Sequence, residues 1–312
     1  SICKRRLTHF AGEGPIPRRA NSRAALPLEK EPMERLLLVI CLALLVALPL
    51  WAKDRRTFYD EAFMAGLKQK LETQQWARDQ AAAVVKACDW LRQMSDQELW
   101  DFIPPPEQLR AINVCIAHDC PVCGDEVNRR AGHYPWLMSR ERPFKVECPV
   151  CHGVFPRNDF QPWNTEGLKG KPDEGPEPTD HGLGWLDKRD GRRYYFVPYY
   201  VFWQRWNRDI LGSLNALSQA YLVSGDPVYA HKCGLMLAKI GSMYDRFNYP
   251  EQCYHEGRFG VHGRISDYIW STGDDSRITL AYDGIFPALA GDAELAAFLK
   301  ARGVDDARKT IE

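Results

Sequence analysis

Apolar residues recur at helical spacing near the start of the regular part of the chain. Phe63, Leu67 and Leu71 follow one another at intervals of four residues, and a second apolar run with the same period comes after them. Side chains three or four residues apart lie on one face of an α-helix. The pattern therefore predicts helices over residues 58–94, with a break near Thr73.

A capping motif and a proline run bound the next helix. Glu98 follows Ser95 by three residues, the spacing at which each side chain can bond the other residue's backbone N–H at a helix start. Prolines at 104–106 then end the helix, because proline has no N–H to donate. These patterns predict an N-terminal helical segment over residues 53–112.

Residues 113–200 lack helical periodicity and are rich in proline and glycine. Pro143–Glu147 is predicted as a short strand. Asp190 and Gly191 form a dipeptide typical of a tight hairpin turn, and they lie in the middle of the predicted hairpin at 185–197. The middle of the chain is therefore predicted as a small β-rich insert.

Helical periodicity returns after the insert. An apolar face runs from Trp203 to Tyr221, and a further helix is predicted over residues 228–244. Between them, Ser224–Pro227 offers a glycine that ends one helix, an aspartate that caps the next and a proline for its first position. Three further helical pieces are predicted at residues 265–270, 276–290 and 292–302.

Four of the ten cysteines stand in two CxxC pairs within the insert. Cys120 and Cys123 form the first pair, Cys148 and Cys151 form the second, and 24 residues separate the pairs. Four thiolates at such a spacing can surround one Zn²⁺ as a tetrahedron, which leaves no open position and makes the metal structural. Two disulfides are the alternative, which stays open because the protein is predicted to be exported.

The remaining cysteines show no paired spacing. Cys88 and Cys233 lie in apolar helical stretches and are predicted to be buried. Cys115, five residues before Cys120, is an alternative metal ligand. His152 directly follows the last of the four paired cysteines, where it either hydrogen-bonds a sulfur atom or lies at the surface.

The prediction of export rests on the N-terminus. Residues 36–50 are an apolar run of fifteen residues, shorter than the roughly 20 that a membrane-spanning helix needs. A basic residue before the run and Ala52 after it match a secretory signal, so residues 33–52 are predicted as a signal peptide and residues 1–32 as a non-native or unstructured leader. The mature protein is then periplasmic or extracellular, without a stable membrane span. A lipid-embedded anchor is the less favoured alternative.

The charge balance argues against one large class of partner. The chain has 41 basic and 41 acidic residues, and its first 52 residues hold eight of the basic and four of the acidic ones, so the rest has a net charge of −4. A nucleic-acid binder normally shows a basic stripe. Nucleic acid is therefore not expected as a partner, and the oligomeric state is left open.

Tight junctions between consecutive helices are typical of α/α toroids and solenoids. The predicted fold is mainly α: antiparallel helix pairs over residues 201–312 belong to an α/α toroid, and a zinc-ribbon-like region over 113–200 is inserted before them. Residues 305–312 have the pattern of another helix start. We therefore expect the toroid to be incomplete within this chain.

The order of motifs resembles the heparinase II/III-like proteins, in particular exported members that carry zinc knuckles. The two knuckle sequences come first, and the helix junction comes last, in the series Cys120–Gly124, Val146–Phe160, Asp180–Asp187, Tyr194–Val197 and Ala220–Ala230. The resemblance covers about residues 58–290 and is most specific around the knuckles. The helical part is similar to the toroid of the heparinase and alginate lyase superfamily.

This resemblance implies a polysaccharide lyase that acts by β-elimination on a uronic-acid polymer, with acidic polysaccharide as the partner. In such enzymes one group neutralises the C6 carboxylate, a base takes the C5 proton and an acid protonates the departing O4. The family places part of this machinery in a C-terminal β-sandwich. The chain is therefore expected to hold only the N-terminal part of such an enzyme.

The loop at residues 254–264 concentrates candidate groups for this chemistry. His255 and His262 are the candidates for the base or the neutralising group, and Arg258 and Arg264 are candidates to bind a carboxylate through paired hydrogen bonds. A solvated helix connection with incidental charges is the alternative.

A predicted helix face supplies further candidates. Trp203 and Trp206 are three residues apart and Asn207 follows them, so the three are candidates to contact a sugar. The alternative is that both indole rings pack in the core, as aromatic residues at this spacing commonly do. Trp270, in a later helix, is also predicted to pack.

Two other functions remain open. An α/α toroid also suits glycoside hydrolases, which need two carboxylates around the scissile bond. Five acidic residues supply candidates without singling out a pair: Glu256, Asp267, Asp274, Asp275 and Asp283. The other possibility is a non-catalytic scaffold that binds a glycan or a partner.

Overall fold

Helices dominate the structure. The computed structural model describes residues 53–110, 119–160, 174–175, 177, 179–253 and 262–312. All of these except Lys53 belong to one structural unit, which spans residues 54–312. The described strands are only two or three residues long. The prediction of a mainly α fold is therefore confirmed.

The N-terminal segment contains helices α1 (Glu61–Thr73), α2 (Gln75–Ala87), α3 (Asp89–Gln93) and α4 (Asp96–Phe102). The predicted break is confirmed, since Gln74 between α1 and α2 has extended backbone. The predicted capping box is also confirmed: Ser95 accepts a hydrogen bond from the N–H of Glu98, and the Glu98 carboxylate accepts one from the N–H of Ser95.

The apolar face of α1 is not a core face. No side chain of this helix is buried, and Phe63 is 47% exposed. The chain just before α1 is instead held by Asp283, whose carboxylate accepts hydrogen bonds from the backbone N–H groups of Thr57, Phe58 and Tyr59 at 2.6–2.9 Å. Polar contacts therefore fix the start of this segment to the C-terminal helices.

The middle region holds α5 (Glu126–Ala131) and strands β1 (Val146–Glu147), β2 (Val154–Phe155), β3 (Glu174–Gly175), β4 (Trp185–Asp187) and β5 (Arg192–Tyr194). β1 and β2 pair antiparallel. β4 and β5 form an antiparallel hairpin, with Trp185 opposite Tyr194, and β3 runs parallel to β4. The predicted hairpin is therefore confirmed.

The helices that follow are α6 (Phe196–Tyr200), a π-helix (Val201–Leu211), α7 (Gly212–Ser224), α8 (Pro227–Gly241), a 3₁₀ turn (Tyr244–Arg246), α9 (Tyr249–Gln252), α10 (Tyr268–Leu289), α11 (Ala293–Lys300) and α12 (Ala307–Ile311). The first three follow one another without interruption. The predicted junction between α7 and α8 is confirmed: Gly225 has a φ of 70°, Asp226 accepts a hydrogen bond from the N–H of Val228 at 3.1 Å, and Pro227 begins α8.

α10 corrects one prediction, because the two pieces expected at 265–270 and 276–290 belong to a single helix. Gly273 lies inside it, and an interior glycine costs about 1 kcal/mol relative to alanine. Burial offsets this cost, because α10 packs against α7 and α8 and Ile285 is fully buried. Asp267 caps the start of the helix, since its side chain accepts hydrogen bonds from the N–H groups of Ile269 and Trp270.

The buried side chains fall into two main clusters. The larger is mostly aliphatic and lies among α7, α8 and α10, with Leu214, Leu235 and Ile285 fully buried. Contact there is close: a Cβ on Gly234 would lie 2.8 Å from a methyl carbon of Leu289. The smaller cluster is mostly aromatic and belongs to the middle region and α6.

Candidate metal centre and the predicted groove residues

The four paired cysteines converge on one point. Their Sγ atoms all lie within 4.8 Å of one another, with Cys120 3.7 Å from Cys151 and Cys123 3.6 Å from Cys148. A tetrahedron with Zn–S bonds of 2.3 Å has S–S edges of about 3.8 Å. All four are free thiols in this arrangement. The sulfur positions therefore fit one tetrahedral metal ion.

The two CxxC turns share a backbone pattern that aims both sulfurs of each turn at the same point. Cys120 and Gly124 exchange backbone hydrogen bonds at 2.9 and 3.1 Å, and the N–H of Cys148 donates to Gly153 at 2.9 Å. The residue after the second cysteine has positive φ in both turns, 61° at Gly124 and 58° at His152. Histidine in this conformation is uncommon, so the second turn is held against a local preference.

Two of the four thiols are poorly suited to ionise without a cation. Burial raises the pKa of Cys120 above its usual range and that of Cys123 to about 11. Burial acts in the same direction on Cys148, but backbone N–H groups of Cys151 and Val150 outweigh it and lower the pKa of that thiol. A bound dication would supply the missing charge, because metal binding replaces the thiol protons.

The candidate metal centre packs against the smaller of the two buried clusters, which is mostly aromatic. The ring of Trp136 packs edge-on against Phe155 and Phe196 at 6.0 and 5.6 Å, and Phe155 stacks on Phe196 at 5.0 Å. Asp180 joins this core to the start of α6, since its buried carboxylate accepts N–H bonds from two glycines and from Val197. The insert thus has a packed interior of its own.

None of the other candidate ligands named from the sequence is seen to join the four cysteines. The side chain of His152 is 74% exposed and its Nδ1 is 3.3 Å from a Glu147 oxygen, so it faces a carboxylate rather than a sulfur. Cys115 lies outside the described residues. Cys88 and Cys233 are fully buried, as predicted. Within the described part of the chain, no other group of His, Cys, Asp and Glu residues is placed to hold a metal ion.

The two predicted sugar-contacting indoles separate in the structure. Trp206 is 2% exposed and packs edge-on against Phe247 at 5.2 Å, so the core alternative holds for it. Trp203 lies only partly buried and meets Trp270 edge-on at 6.0 Å. The wider turn of a π-helix is the physical reason, because it rotates side chains three residues apart away from the shared face that an α-helix would give them.

Asn207 lies at the contact between the π-helix and α10. Its backbone and side-chain oxygens lie 3.3 and 3.5 Å from Nη1 of Arg277. Both residues are partly exposed. The seam between these two helices therefore presents an amide and a guanidinium side by side.

The loop candidates are only partly described. His255 and Arg258 lie outside the described residues. His262 is exposed, and the guanidinium of the exposed Arg264 donates to the backbone oxygens of Asp245 and Phe247 at 2.9 and 3.5 Å.

Arg110, which sequence reasoning missed, holds the chain on both sides of this loop. Its side chain is fully buried and donates to the backbone oxygens of Arg264 and Ile265 at 2.9 and 2.6 Å, and its backbone N–H donates to Gln252 at 3.1 Å. Its ring contacts with Phe247 and Tyr249 complete the enclosure. Arg110 stands out only because arginine is rarely buried, and burial cannot be read from the sequence.

The described acidic candidates all have structural partners. Asp267 caps α10, Asp274 accepts a hydrogen bond from the buried Ser266, Asp275 accepts one from the Tyr244 hydroxyl at 2.8 Å, and Asp283 holds the N-terminal segment as described above. Glu256 lies outside the described residues.

The chain matches no family model, no curated protein and no solved structure. Within the described residues, no helix has both the length and the apolar composition needed to cross a membrane.

Proposed function

We propose that this chain is an exported, zinc-stabilised protein that binds a uronic-acid polysaccharide and takes part in its cleavage by β-elimination. In this proposal the four cysteines hold one structural Zn²⁺ in a zinc-ribbon-like region, and α7, α8 and α10 belong to an α/α toroid. The motif order and the helical architecture support the proposal together with the seam between the π-helix and α10.

Zinc is the metal that the cysteine cluster favours. Four sulfur ligands in a tetrahedron suit zinc or iron, and four protein ligands leave no position for a substrate or water. The metal therefore supplies structure and not chemistry. Elemental analysis of the purified protein tests this assignment: one zinc per chain is expected, whereas iron would give a visible absorption band and would contradict it.

The observation that carries the lyase proposal is the pair formed by Asn207 and Arg277. β-Elimination requires the C6 carboxylate to be neutralised, since this makes the C5 proton more acidic and stabilises the charge that develops when the proton leaves. A guanidinium beside an amide suits this task, because the guanidinium binds a carboxylate oxygen pair and the amide adds a further donor. We assign carboxylate neutralisation to this pair.

Proton transfer completes the reaction. A base takes the C5 proton, the electron pair forms the C4–C5 double bond, and the departing O4 receives a proton from an acid. The candidates for the base are His262, which is among the described residues, and His255, which is not. Arg258 and Arg264 are candidates for further contacts with the carboxylate.

Ultraviolet absorbance of the product tests the reaction. The protein is incubated with alginate, heparin or polygalacturonate, and a C4–C5 double bond appears as new absorbance; hydrolysis releases reducing ends without it. Replacing Arg277 by alanine should lower the rate by about 100-fold, the usual cost of removing one transition-state donor. The matched control is Arg55→Ala, because the side chain of Arg55 is 87% exposed and its ion pair is with the adjacent Asp54.

The outcomes separate the three functions. New ultraviolet absorbance supports the lyase, and reducing ends without it support a glycoside hydrolase. Retention of the protein by an acidic polysaccharide without either product supports a binding scaffold. Equal rates for Arg277→Ala and Arg55→Ala would remove the assigned role of the seam.

A further inference from the structure

Three aromatic rings from three parts of the chain form a continuous row. Tyr134 comes from the insert, Trp203 from the π-helix and Trp270 from the start of α10. The ring centroids of Tyr134 and Trp203 are 5.1 Å apart, and those of Trp203 and Trp270 are 6.0 Å apart. We refer to these three residues as the aromatic row.

The row opens to solvent at one end. Trp270 is 41% exposed and its neighbour Ile269 is 65% exposed, while Tyr134 and Trp203 are partly buried. Packing does not explain why apolar side chains occupy these two exposed positions at the start of the helix, and exposed apolar surface of this kind can mark a binding site. Trp270 was predicted to pack, and it does so on the side that meets Trp203, while 41% of the residue stays exposed.

A polar atom at the base of the row lacks a partner. The indole N–H of Trp203 is buried and makes no hydrogen bond with any described residue. Buried donors are nearly always paired, and an unpaired one calls for an explanation such as a ligand. A ligand hydroxyl that reaches the base of the row would satisfy this donor.

The insert holds Tyr134 in place from both sides. The residue has a φ of 56°, which is uncommon for tyrosine, and it lies between α5, which follows the first CxxC turn, and Leu137, which exchanges backbone hydrogen bonds with Glu147 just before the second turn. The chain on either side of Tyr134 is thus anchored at a pair of metal-site cysteines.

The row continues towards the charged part of the same seam. Arg277 follows Trp270 by seven residues on α10, which is two helical turns or about 10 Å. Asn207 follows Trp203 by four residues on the π-helix and contacts Arg277. An apolar stacking surface therefore precedes a carboxylate-binding pair along one helix contact.

We propose that the aromatic row is a subsite for a pyranose ring of an acidic polysaccharide. The ring packs on the exposed face of Trp270, one of its hydroxyls accepts the N–H of Trp203, and Tyr134 closes the side towards the insert. This inference rests on the proposed function for the acidic nature of the sugar. The subsite itself rests on the aromatic geometry and the unpaired indole donor.

Affinity electrophoresis through gels that contain alginate, heparin or polygalacturonate tests the proposal, with neutral dextran as the comparison polymer. The full chain is used with its metal bound, and the dissociation constant is obtained from mobility against polysaccharide concentration. Trp270→Ala and Tyr134→Ala should each weaken binding at least tenfold. Trp203→Phe, which removes the N–H and keeps an aromatic ring, should weaken it severalfold.

The matched control is Trp76→Ala, which removes an indole that is 58% exposed on α2. It should bind like the unaltered protein. Circular dichroism and zinc content are measured for every variant, so that loss of folding is distinguished from loss of the subsite.

Each outcome decides between the two proposals. Binding of an acidic polymer that is unchanged by Trp270→Ala and Tyr134→Ala overturns the subsite and leaves the proposed function standing. Binding of dextran equal to that of the acidic polymers, and lost in the row variants, supports the subsite and contradicts the uronate proposal. No retention by any of the four polymers overturns both.

Discussion

The insert and the helical region reach stability by different means. The core among α7, α8 and α10 is built from aliphatic side chains of long helices, and many of them, such as Leu214 and Leu235, are fully buried. The insert has strands of two or three residues and a core of a few aromatic rings and cysteines. A region of that size buries too little apolar surface to order itself and normally needs disulfides or a metal.

The difference shows what the cysteines contribute. In the helical region, the polypeptide makes its own hydrogen bonds along each helix and packing fixes the helices together. In the insert, the chain near the metal site is largely irregular, so the four sulfurs and the core around Trp136 replace what regular structure would supply. A metal ion held by the four sulfurs would therefore organise residues 119–160 around one point.

Removing the metal should have the largest effect, and it should unfold the insert while the helical region stays folded. Structural Zn²⁺ contributes about 10–16 kcal/mol of apparent binding free energy in small domains, more than the insert can replace. Cys148→Ser, or a chelator, should abolish hydrogen-exchange protection across 119–160 and leave α7, α8 and α10 protected. Cys253→Ser is the control, since that cysteine lies outside the cluster. Loss of protection throughout the chain would show that the two regions are not independent.

A core truncation should show the reverse behaviour. Leu235 is fully buried in α8, and Leu→Ala at such a site costs about 2–5 kcal/mol in the free energy of unfolding. Urea unfolding followed by circular dichroism measures this loss, and zinc content should not change. The control is Leu137→Ala in the insert, where the side chain is 50% exposed and a surface change alters stability by about 0.5 kcal/mol or less. Zinc loss in Leu235→Ala would contradict the view that the insert and the helical region are stabilised independently.

Local signals explain which parts of the fold were predictable. The capping box at Ser95, the turn at Asp190–Gly191 and the junction at Gly225–Pro227 each depend on a few neighbouring residues, and the structure confirms all three. The cysteine cluster was predictable for the same reason: each CxxC turn fixes two sulfurs locally. Only their convergence required the fold.

Features that depend on tertiary packing were not predictable. The π-helix separates Trp203 from Trp206, although α-helical spacing placed them on one face. The sequence pattern predicted two helical pieces at 265–270 and 276–290, whereas packing against α7 and α8 supports one continuous helix, α10. Arg110 and the contact between Tyr134 and Trp203 join residues far apart in sequence, and no periodic pattern encodes such contacts.

A polar link within the helical region gives the test with the smallest expected change in stability. His231 of α8 lies between Asp96 of α4 and Asp292 before α11, with its ring nitrogens 3.0 and 2.8 Å from their carboxylates, and Lys232 also donates to Asp96. Like the metal, this link joins separate segments through one centre. Both carboxylates face a ring nitrogen, so the doubly protonated imidazolium can donate to each.

The pH dependence of this link follows from its charges. Hydrogen bonding to Asp292, opposed by burial, raises the pKa of His231, so its contribution is complete below pH 6.5 and is lost as the pH rises through the raised value. Burial acts to raise the pKa of Asp96, but hydrogen bonds from Lys232 and His231 outweigh it and lower that pKa. Burial likewise acts to raise the pKa of Asp292, and hydrogen bonding to His231 lowers it. Their contribution is complete above pH 3.8 and is lost as the pH falls through the lowered values.

His231→Gln should therefore reduce the free energy of unfolding most between about pH 4 and 6, by about 1 kcal/mol for a partly screened charged hydrogen bond. Urea unfolding across pH 4–9 measures the difference from the unaltered protein, which should shrink as the pH rises above the raised pKa of the histidine. His133→Gln, at an exposed histidine of the insert, is the control and should shift no midpoint. A difference that stays constant with pH would mean that the imidazole contributes packing and not charge, and would leave Lys232 as the charged partner of Asp96.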